Sequence, residues 1–473
     1  MQTHAGWFRT TAAGCAAALL GGCASFSADG GFGAVREAAR ERIEQEVVWA
    51  RGERDERQIE ARVGQLLARP LDAEAAVQIA LLNNRALQAT YAELGIAEAD
   101  LVQAGRLRNP GFSYARLARG EEVEIERTIL FDLLGLLTMP VRTDLERRRF
   151  ELVQARVTAQ LTQVAADTRR AWIAAVAAQE SVRYLEQVRE AAEAAAELAR
   201  RMAAVGNLSK LDQARQQVFY AEVVAQLARA KQNALSERER LARLMGLWGE
   251  DAAFKLPERL PDLPPAPREI ADLEARALRQ RLDVRAAIKE AEGMAASLGL
   301  ARATGFVNVI ELGYQRNSES GHPRQSGYEI ELRLPLFDRG EARLARAEHA
   351  YRQALDRAAD LAVRARSEVR EAYHAYRTAY DLARHYRDEI VPLKKRISEE
   401  ILLRYNAMQV SVFELLADAR QQIAGVSAYL EALRDFWLAE AALQLALTGQ
   451  SPGAIALPGG PGRVAGGAPA ADH

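Results

Sequence analysis

The chain has 473 residues, 63 Lys and Arg against 64 Asp and Glu, a formal net charge of −1, and 6% aromatic residues. Charge this evenly balanced argues against a nucleic-acid partner, and the richness in Ala, Arg, Glu and Leu points to long helices. No apolar run reaches the roughly 18 to 20 residues of a membrane-spanning helix, so passage through lipid would require a closed β-barrel, the other structure that satisfies every backbone polar group there.

From the start, Arg9, the small and apolar run Thr11 to Leu20, and then Leu20-Gly21-Gly22-Cys23 read as a lipoprotein signal peptide over residues 1–22. The Cys23 thiol would accept a thioether-linked lipid, with Gly21 and Gly22 small enough to enter the signal peptidase; an ordinary signal peptide that contains a cysteine is the plainer alternative. Ala24 rather than Asp follows, which by analogy with bacterial lipoproteins implies the outer membrane. Cys15 lies in the segment to be removed, so the mature chain has no pair for an intrachain disulfide. Residues 23–70 form an anchored arm: a small, flexible tether over 24–33, then a charged helical stretch from Val35 to Leu67.

Beyond the arm the chain is written twice. Residues 71–249 and 269–449 each read as helix, two strands, long helix and return helix, with a Pro-rich crossover at 250–268 between them. Ala80-Leu81 and Leu87-Gln88-Ala89 of the opening helix Asp72 to Arg106 match Ala277-Leu278 and Val284-Arg285-Ala286 of Glu269 to Ala303. Residues 450–473, dominated by Gly, Pro and Ala, form a tail without a fixed fold.

The strand segments alternate. In the second repeat Phe306, Ile310, Leu312 and Tyr314 share one face, and Tyr328, Ile330, Leu332, Leu334 and Leu336 oppose Glu329, Glu331 and Arg333. In the first, Val123, Ile125, Ile129 and Phe131 alternate with Glu122, Glu124, Glu126 and Thr128. A strand between lipid and a water-filled lumen requires this pattern, and a soluble hairpin with one wet face would share it. Ala118-Arg119-Gly120 suits a short turn and Asn317 to Gly327 an external loop. Four strands cannot close a barrel, whereas three chains would supply twelve, which implies a homotrimer.

A long helix is predicted from Pro140, at its first turn, to Val205, a rod of roughly 100 Å at 1.5 Å per residue. Its partner runs from Gly340 to Ala407 and should kink at Pro392. Two heptad seams mark the first rod, Leu145, Leu152, Ala159, Ala166 and Ile173, then Phe150, Val157, Val164, Ala171, Ala178 and Leu185. Two separated seams place a neighbour on each side, as in a cylinder wall of helices. The return helices are predicted at Leu208 to Leu244 and Val412 to Leu447.

After the rods come Val205-Gly206-Asn207-Leu208-Ser209-Lys210-Leu211-Asp212 and Tyr405-Asn406-Ala407-Met408-Gln409-Val410-Ser411-Val412-Phe413-Glu414, with Ser209 matching Ser411 and Asp212 matching Glu414. With the lipobox and the duplicated order of elements, these tips resemble the TolC-type outer-membrane efflux family over nearly all of the mature chain. The resemblance implies a mainly α fold with a small β part: a long-helix α-barrel continuous with a trimer-shared twelve-stranded β-barrel. It implies an outer-membrane exit duct of a tripartite efflux system or type I secretion-like assembly, partnered by a periplasmic adaptor and an inner-membrane pump, with no cofactor. It also implies a periplasmic gate of Asp212, Tyr405 and Glu414, with Lys210 and the Tyr405 hydroxyl the nearest partners by sequence. Adaptor docking would involve Gly206, Asn207, Leu208, Ser209, Gln409, Val410 and Ser411. Val410 stands where the better-known members have an arginine that helps lock the mouth, and Met408 replaces the usual turn glycine. For Asp212 and Glu414 the simpler reading is an acid meeting a helix dipole.

A non-channel coiled-coil scaffold lipoprotein would explain the helices and the lipid but not the strand pairs. An enzyme fits less well: His322, His349, His374 and His385 are scattered, and there is no phosphate-cradling glycine loop, nucleophile elbow or Cys/His metal cluster. No Met/His stripe favours a metal cargo over drugs or organic solutes.

Overall fold

The computed structural model describes residues 25–303, 309–332 and 336–453. Cys23, the signal peptide, Phe306, Arg333, Leu334 and the tail from residue 454 lie outside the described residues. The chain divides into two compact units, residues 1–38, 89–158 and 282–362 in one and residues 39–88, 159–281 and 363–473 in the other.

The helices are α1 (Phe32–Ile43), α2 (Glu53–Leu67), α3 (Ala73–Asn83), α4 (Arg85–Ala104), α5 (Leu133–Ala204), α6 (Lys210–Met245), α7 (Leu273–Gln280), α8 (Leu282–Ala303), α9 (Glu341–His385), α10 (Val391–Asn406) and α11 (Val412–Thr448). The strands are β1 (Gly111–Arg119), β2 (Glu122–Asp132), β3 (Ile310–Glu319) and β4 (Gln325–Leu332). The elements run twice in the order helix, two strands, long helix and return helix, with each opening helix broken once. Asn84 and Arg281 sit at these breaks with extended backbone, φ −67° and −63°, ψ 112° and 128°.

In the first unit the two hairpins join through β2 and β3 into one antiparallel sheet of order β1-β2-β3-β4. The segment 25–31, expected as a flexible tether, is instead docked. Ser27 N donates to the buried Glu98 carboxylate at 2.7 Å, and Asp29 accepts from Gly31 N and Gly33 N. Gly31 at φ +72° lies where a Cβ would come within 2.1 Å of the Phe150 ring. Phe32 then inserts against Tyr91, ring centroids 4.9 Å apart. Burial opposes ionisation of Asp29, yet the N–H groups of Gly33 and Gly31 and the Ser27 hydroxyl hold its carboxyl below the usual range.

Two expected boundaries move, and an expected kink is absorbed. Helix α5 begins at Leu133, so Pro140 is interior rather than in the first turn. The start is set by Asp132, whose side chain accepts from Gly135 N at 2.6 Å and so satisfies a first-turn donor. The predicted loop Asn317 to Gly327 shrinks to residues 320–324, because Asn317 pairs with Gln325; backbone ladders form whatever the polarity of the side chains. Pro392 lies in α10 just after a π-helical turn, Tyr386–Ile390, whose wider ring absorbs the proline; Val391 N donates to Tyr386 O.

In the second unit both heptad seams of α5 are covered, with Ala159, Ala166 and Ile173 buried on one and Val164, Ala171 and Ala178 on the other. The crossover has only a 3-10 turn, Gly249–Ala253, but aromatic side chains pin it. The Tyr380 hydroxyl donates to Pro265 O at 2.8 Å, Trp437 Nε1 donates to Pro261 O at 3.0 Å, and Arg268 N donates to the Tyr376 hydroxyl at 2.9 Å. Phe436 packs between Tyr376 and Tyr380, at 5.5 and 5.8 Å between centroids.

Candidate functional site

Strand register decides what the sheet can do, since side chains at alternate positions share a face. Phe131 pairs with Leu312 and Leu312 with Ile330; Phe112 pairs with Ile129, Ile129 with Tyr314 and Tyr314 with Tyr328; Ile310 pairs with Leu332. One face of the sheet is thus a band of apolar side chains, and that band is bare. Tyr328 is 83% exposed, Ile330 72% and Phe112 68%. A soluble hairpin with one wet face would turn its polar side outward and cover this one, so the exposed apolar face separates the two readings of the alternation.

The opposite face carries Glu122, Glu124, Glu126, Glu311, Glu319, Glu329 and Glu331. Glu124 lies directly across from Glu319 and Glu311 across from Glu331, like-charge pairs that only a high-dielectric setting tolerates. Gln315 Nε2 donates to Glu329, and Arg108 reaches Asp132 at 3.4 Å at the helix end of the sheet. Among the described residues, strands β1 and β4 each present an open edge.

The two tips lie in the second unit and share one backbone design. After α5, Gly206 N donates to Ala203 O at 3.2 Å and Asn207 N to Met202 O at 2.9 Å; after α10, Met408 N donates to Tyr405 O at 2.9 Å and Gln409 N to Arg404 O at 2.8 Å. This is a Schellman closure, whose left-handed residue is Gly206 at φ +79° in the first tip and Met408 at φ +59° in the second. Met408 therefore bears a Cβ in a conformation that favours glycine, and it is 94% exposed.

Ser209 and Ser411 stand at the N-caps of α6 and α11, but only Ser209 caps with its side chain, accepting from Asp212 N at 3.1 Å. The nearest cation to Asp212 is Arg215 at 3.7 Å, in place of the Lys210 or Tyr405 suggested by sequence proximity. Val205, Gly206, Asn207, Gln409 and Glu414 are exposed, while Leu208, Tyr405 and Val410 are partly covered.

Behind the tips are residues the sequence did not single out. Arg420 of α11 lies over the Phe219 ring of α6 at 4.8 Å and reaches Glu222 at 3.8 Å, tying the two return helices together. Asp418 of α11 is buried and accepts from Ser398 of α10. Arginine spacing on a heavily charged helix gave no signal for these contacts, because they depend on which helices become neighbours. Among the described residues no group of three or more His, Cys, Asp or Glu could hold a metal ion, and no helix is long and apolar enough to cross a membrane.

No family model matches the chain. Over 303 residues it is 27% identical to the cobalt-zinc-cadmium resistance protein CzcC of Cupriavidus metallidurans, covering 62% of this chain and 69% of that one. Among solved structures it is similar to a membrane protein from Pseudomonas aeruginosa, TM-score 0.70 at 21% identity over 79% of this chain and 92% of that one. It is also similar to the Campylobacter jejuni CmeC outer membrane channel, TM-score 0.68 at 16% identity over 89% and 93%. With its duplicated helical repeats, its four-stranded sheet and these neighbours, the chain has the fold of the TolC-type outer-membrane efflux channels.

Proposed function

We propose that this chain is the outer-membrane channel of a tripartite efflux or type I secretion-like assembly, a passive exit duct gated at its periplasmic tips by an adaptor protein. The observation that carries the reading is the sheet: one bare apolar face, one acidic face and two open edges. Lipid does not tolerate open edges, and three copies joined edge to edge supply the twelve strands of a closed barrel with its acidic face toward a water-filled lumen. A periplasmic scaffold has no use for such a surface.

The acylated Cys23 would add a second anchor, and the tips Gly206 to Ser209 and Gln409 to Ser411 would receive the adaptor. Opening is then a population shift driven by adaptor binding, needing no nucleotide or cofactor at this protein. The name of the Cupriavidus relative makes divalent metal ions the first cargo to test, and a lumen rich in carboxylates suits cations.

The test is crosslinking in mild detergent followed by planar-bilayer recording. A ladder that stops at three together with discrete conductance supports the channel; a monodisperse monomer or dimer without conductance supports the scaffold.

A further inference from the structure

On the apolar face of the sheet the row next to the band toward the hairpin turns is basic. Arg127 of β2 is directly across from Arg316 of β3, and Arg116 of β1 is across from Ile125, two residues along from Arg127 on the same face. All three are exposed. Among the described residues none of the three guanidiniums makes an ion pair; Arg127 lies at 6.0 Å from the centre of the Tyr114 ring. The carboxylates that could have neutralised them, Glu122, Glu124 and Glu126, point to the other face.

Like charges directly across a strand pair destabilise a sheet unless water screens them or an external group neutralises them. On the barrel reading the arginines stand on the lipid side, away from the water-filled lumen that screens the glutamates. Arginine presents a planar donor fork suited to phosphate oxygens, and it retains its charge at every accessible pH. Beside the row lie Tyr114, Tyr314 and Tyr328, with Tyr314 and Tyr328 5.8 Å apart between ring centroids. Aromatic residues of this kind gather at the headgroup level of a bilayer.

We propose that Arg116, Arg127 and Arg316 form a site for the phosphate groups of a phosphorylated membrane lipid, whose acyl chains lie along the apolar band below; the inference rests on the barrel reading. A free phosphate would satisfy the arginines but leave the band bare, whereas a phosphorylated lipid covers both surfaces at once.

The probe is bisphosphorylated lipid A, with its fully dephosphorylated form and inorganic phosphate as controls. Its retention by the detergent-purified protein is counted by native mass spectrometry for the parent and for the R116Q/R127Q/R316Q variant. The parent should keep bisphosphorylated lipid A and lose the dephosphorylated form, and the variant should bind the former roughly tenfold more weakly. Inorganic phosphate should not displace the lipid; if it does, the ligand is phosphate alone and the proposal is wrong.

Equal retention by parent and variant also overturns it. Both proteins are recorded in zwitterionic bilayers as well. Conductance from both with equal lipid retention sinks only this inference, whereas absence of conductance from both removes the barrel and this site with it.

Discussion

The Arg281 guanidinium donates to the Glu368 carboxylate at 2.7 Å from a position with 0% side-chain exposure. Arg281 is the break between α7 and α8, and its repeat counterpart Asn84 fills the same place between α3 and α4, donating to Leu244 O at 2.8 Å. The same backbone step is thus held by an amide in one repeat and by an ion pair in the other. Removing one member of a fully buried pair costs about 3–5 kcal/mol, and less here because the Glu368 side chain is 23% exposed, while replacing both with apolar groups is often close to neutral. Glu368→Ala should therefore lower the thermal midpoint, and R281M/E368L should recover most of that loss in circular-dichroism melts. A double variant as unstable as the single one counts against the pair as the cause.

Met408 offers a gain. An L residue in the left-handed region is strained by about 1–2 kcal/mol, part of which glycine returns as unfolded-chain entropy. Met408→Gly should raise the melting temperature slightly and Gly206→Ala should lower it. If both substitutions move it the same way, the two tips do not share a turn.

Burial raises the Glu440 carboxyl above its ordinary value of 4.5, with Arg268 pulling the other way from 3.4 Å. A carboxyl whose pKa is higher in the folded state binds its proton more tightly there. Its stabilising contribution is complete below the ordinary value and is lost as pH rises through the folded one. Glu440→Gln carries no charge at any pH, so its midpoint should gain on the parent's as pH rises above the ordinary carboxylate value and Glu440 ionises. A gap that stays constant as pH rises contradicts the assignment.

At the tips, three copies of Asp212 and Glu414 would place carboxylates around one mouth, a ring that favours cations. The D212A/E414A protein should show reduced cation selectivity in planar bilayers, and Tyr405→Phe should raise the open fraction. Wild-type selectivity in the double variant would make these carboxylates ordinary helix-terminal acids and place the mouth elsewhere.

Anchoring through Cys23 is expected to show in radioactive palmitate incorporation, which Cys23→Ser should abolish. Several acyl chains hold a protein firmly where one does not, so the variant should retain only the barrel as anchor. Persistent labelling of the serine variant rules out lipidation at this cysteine.

The amino-acid sequence alone determined the duplicated order of elements, the apolar and acidic faces of the strands and the two seams of α5, because each is a periodicity carried by neighbouring residues. It also placed the tip turns, since Ser209 and Asp212, like Ser411 and Glu414, stand at helix-starting spacing. Tertiary structure alone decided which partners these residues meet. That β2 pairs with β3, bringing Phe131 beside Leu312 and Arg127 beside Arg316, is a choice between segments nearly two hundred residues apart that no local pattern encodes. The start of α5 moved from Pro140 to Leu133 because Asp132 caps the helix there, and the helix runs on through Pro140 with one hydrogen bond missing. The partners of Arg281 and Phe219 follow the same rule, because Glu368 and Arg420 lie on other helices and such contacts depend on helix adjacency, which the folding of the whole chain sets; Arg215, three residues after Asp212 on α6, is by contrast a local pair.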